Sequence, residues 1–530
     1  MKLKRFIHKR QRDHKTTMDL GILYPMNFID VTMGQETLLK SSASIRFQPL
    51  AAPAMVEMYS NIVHFYVPYR IIWEIWTEFI SMQKPHELPL TFLKASGNGF
   101  SQLNLTTKGS LLEYTGFPKT LSSSGSTATF LDWNFPFFWF MAYYMIWDEY
   151  FRDEEIQKDE AIDFQELYKL YETGMTLGSG TTAFSDWNKL FKKLYGLKRV
   201  NWGRDRFTSA LLETETEPDI QLPVGADGTF RFTDKSGQGV VNPYMASDGQ
   251  GTVKLTPNST LPFQGNGKSI ASDLPLVYSA GLSGVDLVAF RTAMEMWNFK
   301  MNQTIYGTKY EDYLSKYGVR NMDGRLQKPE FIGGFTDKIK ITDIIATDGN
   351  DLGKQGGHAY GRMDRRVFKH YAPENGVIIS MMYIRPKAQY SGGLDRFFFK
   401  RDALDFPQLE FIHGYQGIYS PEIGRSNKGV TSIPKDENDI PIFGYEERYS
   451  EYRHDTHMVT GELTPGEPLS HWANPRQWTD TPVLNNNFLE CNPSTNIWLS
   501  PNTDKAIVHY IGDFTVKTWL PNKTPTKFKF

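Results

Sequence analysis

Apolar and polar residues alternate near both ends of the chain and fall into helical spacing between them. In "VHFYVPYRIIWEIWTEFI", Val63, Phe65 and Val67 alternate with His64 and Tyr66, the period of a short strand with one more apolar face. Pro68 cannot donate a ladder hydrogen bond and disfavours helical geometry at Val67, so the strand is predicted to end there. Beyond Arg70, residues Ile71, Ile72, Ile75, Trp76, Phe79 and Ile80 form one helical face. The spacing predicts an amphipathic helix over 70–82, packed on a sheet, whose aromatic residues belong to the core. Residues 19–70 alternate short apolar runs with proline and glycine ("LGILYPMNFIDVTMG", "ASIRFQPLAAPAM") and read as strands. Further helices are predicted over 135–152 and 153–173. The second carries a solvated charged face opposite Ile156, Ile162, Phe164, Leu167 and Leu170.

Residues 213–273 are rich in Gly, Ser, Thr, Asp and Asn, with too few large aliphatics to build a core, and read as a surface-exposed loop excursion. Helical periodicity returns in "GVDLVAFRTAMEMWNFKMNQTIYGTKYEDYLSKYG", where Gly318 is placed to stop a helix. From 331 onward β-rich runs follow: "GVIISMMYIRP", "QLEFIHGYQGIY", "NIWLSP" and "AIVHYIGDFTVKTWLP". No internal repeat is present. Strands at both ends with helices and loops between them suit a mainly β protein, a sandwich or jelly roll with long helical and loop insertions, because strands distant in sequence can share a sheet.

The length, 530 residues, allows several domains or one domain with large insertions. Hydrophobic residues at 40%, charged residues at 22% and a net charge of -2 place the chain among globular proteins with a substantial core. Cys491 is the single cysteine, which excludes an intrachain disulfide framework and suits a reducing compartment. The basic start lacks the apolar core and cleavage site of a signal peptide. "FPFFWFMAYYMIW", about 13 residues with Pro136 inside, falls short of the ~20 that span a bilayer, so a buried helix and no membrane insertion are expected.

Most candidate chemistry fails on spacing. "GNGKS" at 265–269 lacks the earlier glycine of a phosphate-binding loop, since Pro262 stands there. The run from Asp348 has Leu352 and Ala359 at ligand positions of a calcium loop and fails as an EF-hand, leaving only a looser loop-bound calcium open. His454 and His457 in "HDTH" lack a third ligand at motif spacing. No hydrolase, zinc-protease or redox motif is present, so no catalytic, cofactor or metal residue is nominated. The amino terminus is different. Residues 1–18 form a basic arm in which Lys2, Lys4, Arg5, Lys9, Arg10, Arg12 and Lys15 oppose only Asp13. Such a segment binds nucleic acid by counterion release, and otherwise remains a solvated terminus.

Several stretches resemble one family. "IRFQPLAAPAM" with "HFYVPYRIIWEIWTEF", then "YMIWDEYFRDE" at 144–154, "YGVRNMDGRLQKPEFIGG" at 317–334, "FGYEERYSEYR" and "FLECNPSTNIW" resemble, in order, blocks of the major capsid proteins of the Microviridae, the small single-stranded DNA bacteriophages, in a gokushovirus-like form. The resemblance runs from about residue 45 to 500. It implies a single antiparallel jelly roll of viral capsid type over 19–530, with 70–205 as a helical insertion, self-assembling into a small icosahedral T=1 shell around circular single-stranded DNA. It also implies assembly in the host bacterial cytoplasm, a small basic DNA-packaging protein and a pilot protein as partners, and a host-cell surface receptor. Residues 226–273 correspond by position to a surface protrusion of some relatives. The chain departs from the family in "RDRFTSALLETETEPDIQLPVG", where acidic residues replace a Trp/Pro-rich run.

The rival reading is a carbohydrate-binding or carbohydrate-active β-sandwich, suited to the aromatic content and the Asp/Asn-rich loops, although no acid pair can be nominated. If the basic arm holds DNA, replacing Lys9, Arg10 and Arg12 by Ala weakens single-stranded DNA binding and makes the plot of log affinity against log salt shallower by about 2. Titrations of a labelled oligonucleotide at several salt concentrations measure both, and an unchanged slope removes the arm from the binding surface.

Overall fold

The computed structural model describes residues 6–82, 109–116, 138–162, 193–213, 327–345, 355–408, 414–425, 433–499 and 506–520, apart from 195 and 437, together with a few isolated short pieces. The chain divides into two compact units, residues 1–214 with 321–530 and residues 215–320. Of the second unit only 291–292, 294–296 and 298–299 are described, each helical. Past Glu213, the excursion predicted over 213–273 lies outside the described residues, as do "GNGKS" and the run 348–354.

Two sheets make the first unit. Strands β1 (Phe6–Met18), β2 (Tyr24–Val31), β3 (Gln35–Phe47) and β4 (Met58–Pro68) precede the long insertion, and β5 (Glu330–Lys338), β6 (Lys340–Ile345), β7 (Gln355–Ala372) and β8 (Gly376–Pro386) follow it. A second excursion carries the hairpin β9 (Tyr415–Tyr419) and β10 (Ile442–Glu447) before β11 (Val508–Leu520) returns to the sandwich. One sheet has the order β1-β11-β3-β7-β6 and the other β2-β8-β4-β5, with every ladder between them antiparallel. The chain changes sheet at each connection except β4 to β5 and β6 to β7, which is the jelly-roll path. The two long connections interrupt it at 69–329 and 387–507.

The sheets face each other across one core, with Leu39, Ile45, Met363, Tyr510 and Phe514 from the first meeting Met26, Ile62, Tyr66, Ile378 and Met382 from the second. The four-stranded sheet has a second buried face. Phe65, Val67, Val377, Ile379 and Met381 pack under the helix Phe138–Tyr150 and its neighbours. This is why "GVIISMMY" shows no alternation: both of its faces are dry. The helix is correspondingly apolar all round. Its polar tips are satisfied by backbone partners, Tyr143 Oη donating to the Leu23 carbonyl at 2.7 Å and Trp147 Nε1 to that of Arg199 at 2.8 Å. No helix among the described residues is long and apolar enough to cross a membrane.

The Pro68 junction is pinned to the turn between β7 and β8. Pro68 is the register partner of Gly376, where a Cβ would stand 2.4 Å from the Val67 carbonyl oxygen, so only glycine fits. Tyr69 N–H donates to the Asn375 carbonyl at 3.0 Å, and Arg70 forks onto Glu374 at 3.1 Å.

Three expectations need correction. The helix predicted over 70–82 is two short ones, Tyr69–Ile72 and Trp76–Ile80, because Trp73 is extended (φ -138, ψ 113). Helices this short have little stability of their own, and the convergence of Tyr69, Trp73 and Trp76 on Phe138, with ring centroids 5.2, 6.0 and 5.9 Å away, sets the path. Residues 153–162, predicted to start a helix, form turns and a single 3-10 turn at Lys158–Glu160. Here the Asp153 carboxylate accepts from the N–H groups of Glu155 and Ile156 at 3.1 and 2.9 Å, in competition with helical bonding. Residues 163–173 lie outside the described residues. Residues 496–499 of "NIWLSP" form a turn in which Trp498 makes an isolated bridge to Leu50 and stacks on Phe47, rather than a strand, and its last two residues lie outside the described ones.

One polar group bridges the sheets. His64 on β4 is buried, with Nδ1 at 2.9 Å from Ser380 Oγ on β8 and Nε2 at 3.3 Å from Ser41 Oγ on β3. Two hydroxyls can match either neutral tautomer. Burial pushes the His64 pKa down to about 3. The folded state therefore holds the imidazole neutral while the unfolded chain protonates near 6.5. Its contribution is intact above pH ~6.5 and is lost as pH falls towards 3, at no more than about 1.4 kcal/mol per pH unit. Urea midpoints measured between pH 7.5 and 4.5 are expected to fall more steeply for the wild type than for His64→Asn. Parallel profiles would show that His64 is not the acid-sensitive group.

Candidate nucleic-acid interface

The outer face of the five-stranded sheet takes every second residue of five strands. On β3, residues 35–47 alternate strictly between buried odd and more exposed even positions, which puts Glu36, Leu38, Lys40, Ser42, Ser44 and Arg46 outside. The registers then fix the rows across the sheet. One row runs Lys9, Lys517, Leu38, Lys369; the next towards the sheet end runs Ile7, Trp519, Glu36, Tyr371. Farther along stand Gln11, Thr515, Lys40, Val367, then Lys15, Ile511, Ser44, Arg362, and finally Thr17, His509, Arg46, Tyr360, Lys340. Neighbouring strands lie about 4.8 Å apart, so each row sets its side chains at that interval.

Acids on this face are fewer than cations. Glu36 pairs with Lys369 at 2.5 Å and Asp364 lies 3.7 Å from Arg362. Asp13 and Asp513 face each other between the basic rows. Among the described residues Lys9, Lys517 and Lys40 have no ion-pair partner. Lys9 and Lys517 are direct cross-strand neighbours, an arrangement that repels in the absence of an anion. Tyr371 is 54% exposed and Tyr360 38%, leaving aromatic surface beside the lysines.

The structure thus separates the predicted site residues. Lys9 and Lys15 lie on the outer face. Arg10 and Arg12 have the opposite parity and stand at the edge of the sandwich, beside Val516 and Phe514. Arg12 adds to the lowering of the His14 pKa, whose larger cause is burial. Lys2, Lys4 and Arg5 lie outside the described residues. Sequence reasoning missed Lys40, Arg46, Lys340, Arg362, Lys369, Lys517 and Trp519. They are scattered over strands distant in sequence, and only the alternation within each strand, as in "HAYGRMD", hints that they share a face.

No group of three or more His, Cys, Asp or Glu placed to hold a metal occurs among the described residues. His454 and His457 are both exposed. Cys491 is buried, and desolvation pushes its thiol up to about 12, away from nucleophilic chemistry.

A family model described as capsid protein (F protein) matches residues 1–526. The chain belongs to that family. Capsid protein VP1 of Chlamydia phage 1 is 24% identical, covering 92% of this chain and 90% of its own length. Capsid protein VP1 of Bdellovibrio phage phiMH2K is 23% identical, over 90% of this chain and 86% of the relative, and that of Spiroplasma virus 4 is 23% identical with the same coverage. The chain is a structural major capsid protein of Microviridae type and a component of the virion. The carbohydrate reading finds no support in these relatives.

The Lys9/Lys517 row yields opposite effects on stability and binding. Lys517→Gln is expected to stabilise the nucleic-acid-free chain by about 0.5 kcal/mol in low salt, by relieving the repulsion, while weakening single-stranded DNA binding. Urea midpoints at low and high salt, set beside oligonucleotide titrations, test the pair of effects. A variant that binds as well as the wild type sinks the interface.

Proposed function

We propose that copies of this chain close into a small icosahedral shell around a circular single-stranded DNA, assembled in the host bacterial cytoplasm, with the outer face of the five-stranded sheet turned towards the genome. The observation that carries this reading is the unneutralised Lys9/Lys517 pair, with Trp519 in the adjoining row and Tyr371 two strands farther along that row. Phosphates relieve lysine repulsion, and unpaired bases stack on aromatic faces without regard to sequence. A duplex keeps its bases stacked inside and cannot use those rings, so single strands suit this surface better. Individual cations act as interchangeable phosphate contacts that position the strand rather than read it.

Cryo-electron microscopy of particles recovered from infected cells tests the proposal. The expected map shows a closed shell with one jelly roll per asymmetric unit, the β1-β11-β3-β7-β6 sheet innermost and nucleotide density against Trp519 and Tyr371. A shell with that sheet on the outside would overturn the DNA-facing assignment but leave the capsid role intact.

A further inference from the structure

The segment Leu394–Phe406, "LDRFFFKRDALDF", is inside out. Two of its three cations turn inward: Arg396, with a side chain 10% exposed, pairs with the fully buried Glu422 at 2.9 Å, and Lys400, 7% exposed, pairs with Glu451 at 3.2 Å. Arg396 also lies over the Tyr419 ring at 4.3 Å and donates to the Gly417 carbonyl at 2.6 Å. Its apolar side chains turn outward. Leu394, Phe397, Phe398, Leu404 and Phe406 are between 42% and 63% exposed, and Tyr452 beside them is 57% exposed. Phe397 and Phe398 have ring centroids 3.9 Å apart, and the Lys400 ammonium, two residues on, lies over both Phe406, at 5.3 Å, and Tyr452, at 4.2 Å.

Burying two cations to hold aromatic rings in water costs free energy twice, once in desolvation and once in wetted apolar area. The anchoring continues below: Glu422 also pairs with Arg206 at 2.7 Å, Arg206 with Glu446 at 2.7 Å, and Gln416 donates to both Glu446 and Glu451. A contiguous exposed apolar patch on a rigid base marks an interaction surface. We propose that this ridge is a contact between neighbouring copies of the chain in the shell. This rests on the self-assembly of the capsid protein. Two observations favour a second copy as the occupant. The net charge of -2 over 530 residues lets copies approach without strong repulsion, and exposed Asp395, Arg401 and Asp402 ring the patch with both signs of charge, as a self-complementary contact requires.

Hydroxyl-radical footprinting of wild-type particles, compared with chains released from them by mild denaturant and returned to buffer, tests the contact without a substitution. Oxidation of Phe397, Phe398 and Tyr452 is expected to be about tenfold slower in the particle. The occupant is identified with Phe398→Cys and Leu404→Cys, either of which supplies the accessible thiol that buried Cys491 does not. A photoreactive group on that thiol is expected to give a covalent dimer of this chain in intact particles. Equal oxidation in particle and free chain, or cross-linking to DNA or to a different polypeptide, overturns the proposal. Particles that form normally with the ridge still exposed would defeat this contact alone, whereas failure of the wild type to form particles would defeat the shell itself.

Discussion

The two central strands of the four-stranded sheet, β4 and β8, have almost no solvent face, and much of the described structure follows from that constraint. β4 and β8 bury one side against the five-stranded sheet and the other beneath the helix Phe138–Tyr150. A jelly roll needs only two sheets, so the insertion between β4 and β5 is here a third layer of the core rather than a surface ornament. The helix can be apolar on every side because it lies between that sheet and the segments around Leu194–Trp202. Its tyrosine and tryptophan tips donate to the backbone carbonyls of Leu23, Glu160 and Arg199, so one cluster both packs and orients the connections.

The sandwich is asymmetric as a result. One outer side is dry and aromatic, while the other carries lysine, arginine, tyrosine and tryptophan in rows. At His64, in the interior, serines from two sheets meet one imidazole. Charge buried in the second excursion is matched too: Arg206 lies between Glu422 and Glu446, and burial, which alone would lower its pKa, is outweighed by these acids, so it is held firmly protonated.

Local pattern revealed strands and the apolar helix well. The alternation in Val63–Val67, the stop at Pro68 and the continuous apolar run of β8 each have a one-residue cause that survives folding. What local pattern hid depends on partners far along the chain. Trp73 breaks a helix because Phe138 lies nearby, and Asp153 ends one before it begins by binding its own backbone. Charge density made residues 1–18 look like an arm, yet from Phe6 they are a strand whose register with β11 decides which cations share a face. The quoted capsid-like stretches also meet in space: Ala51 N–H in "IRFQPLAAPAM" donates to the Ile497 carbonyl in "FLECNPSTNIW" at 2.9 Å, and Tyr66 in "HFYVPYRIIWEIWTEF" is the register partner of Glu330 in "YGVRNMDGRLQKPEFIGG".

The pairing of β1 with β11 has a consequence for biosynthesis. β11 lies between β1 and β3 in the sheet, yet it is translated long after both. At about 5–20 residues per second, the ribosome takes on the order of tens of seconds to deliver residues 508–520 after β3 has emerged. Through that interval the five-stranded sheet has a vacant lane between β1 and β3, β1 has no strand partner, and the lysine rows do not exist as a surface. Sheet completion therefore acts as a timer, and a nascent chain cannot present the finished basic face to nucleic acid before its own translation has passed the strand that builds it.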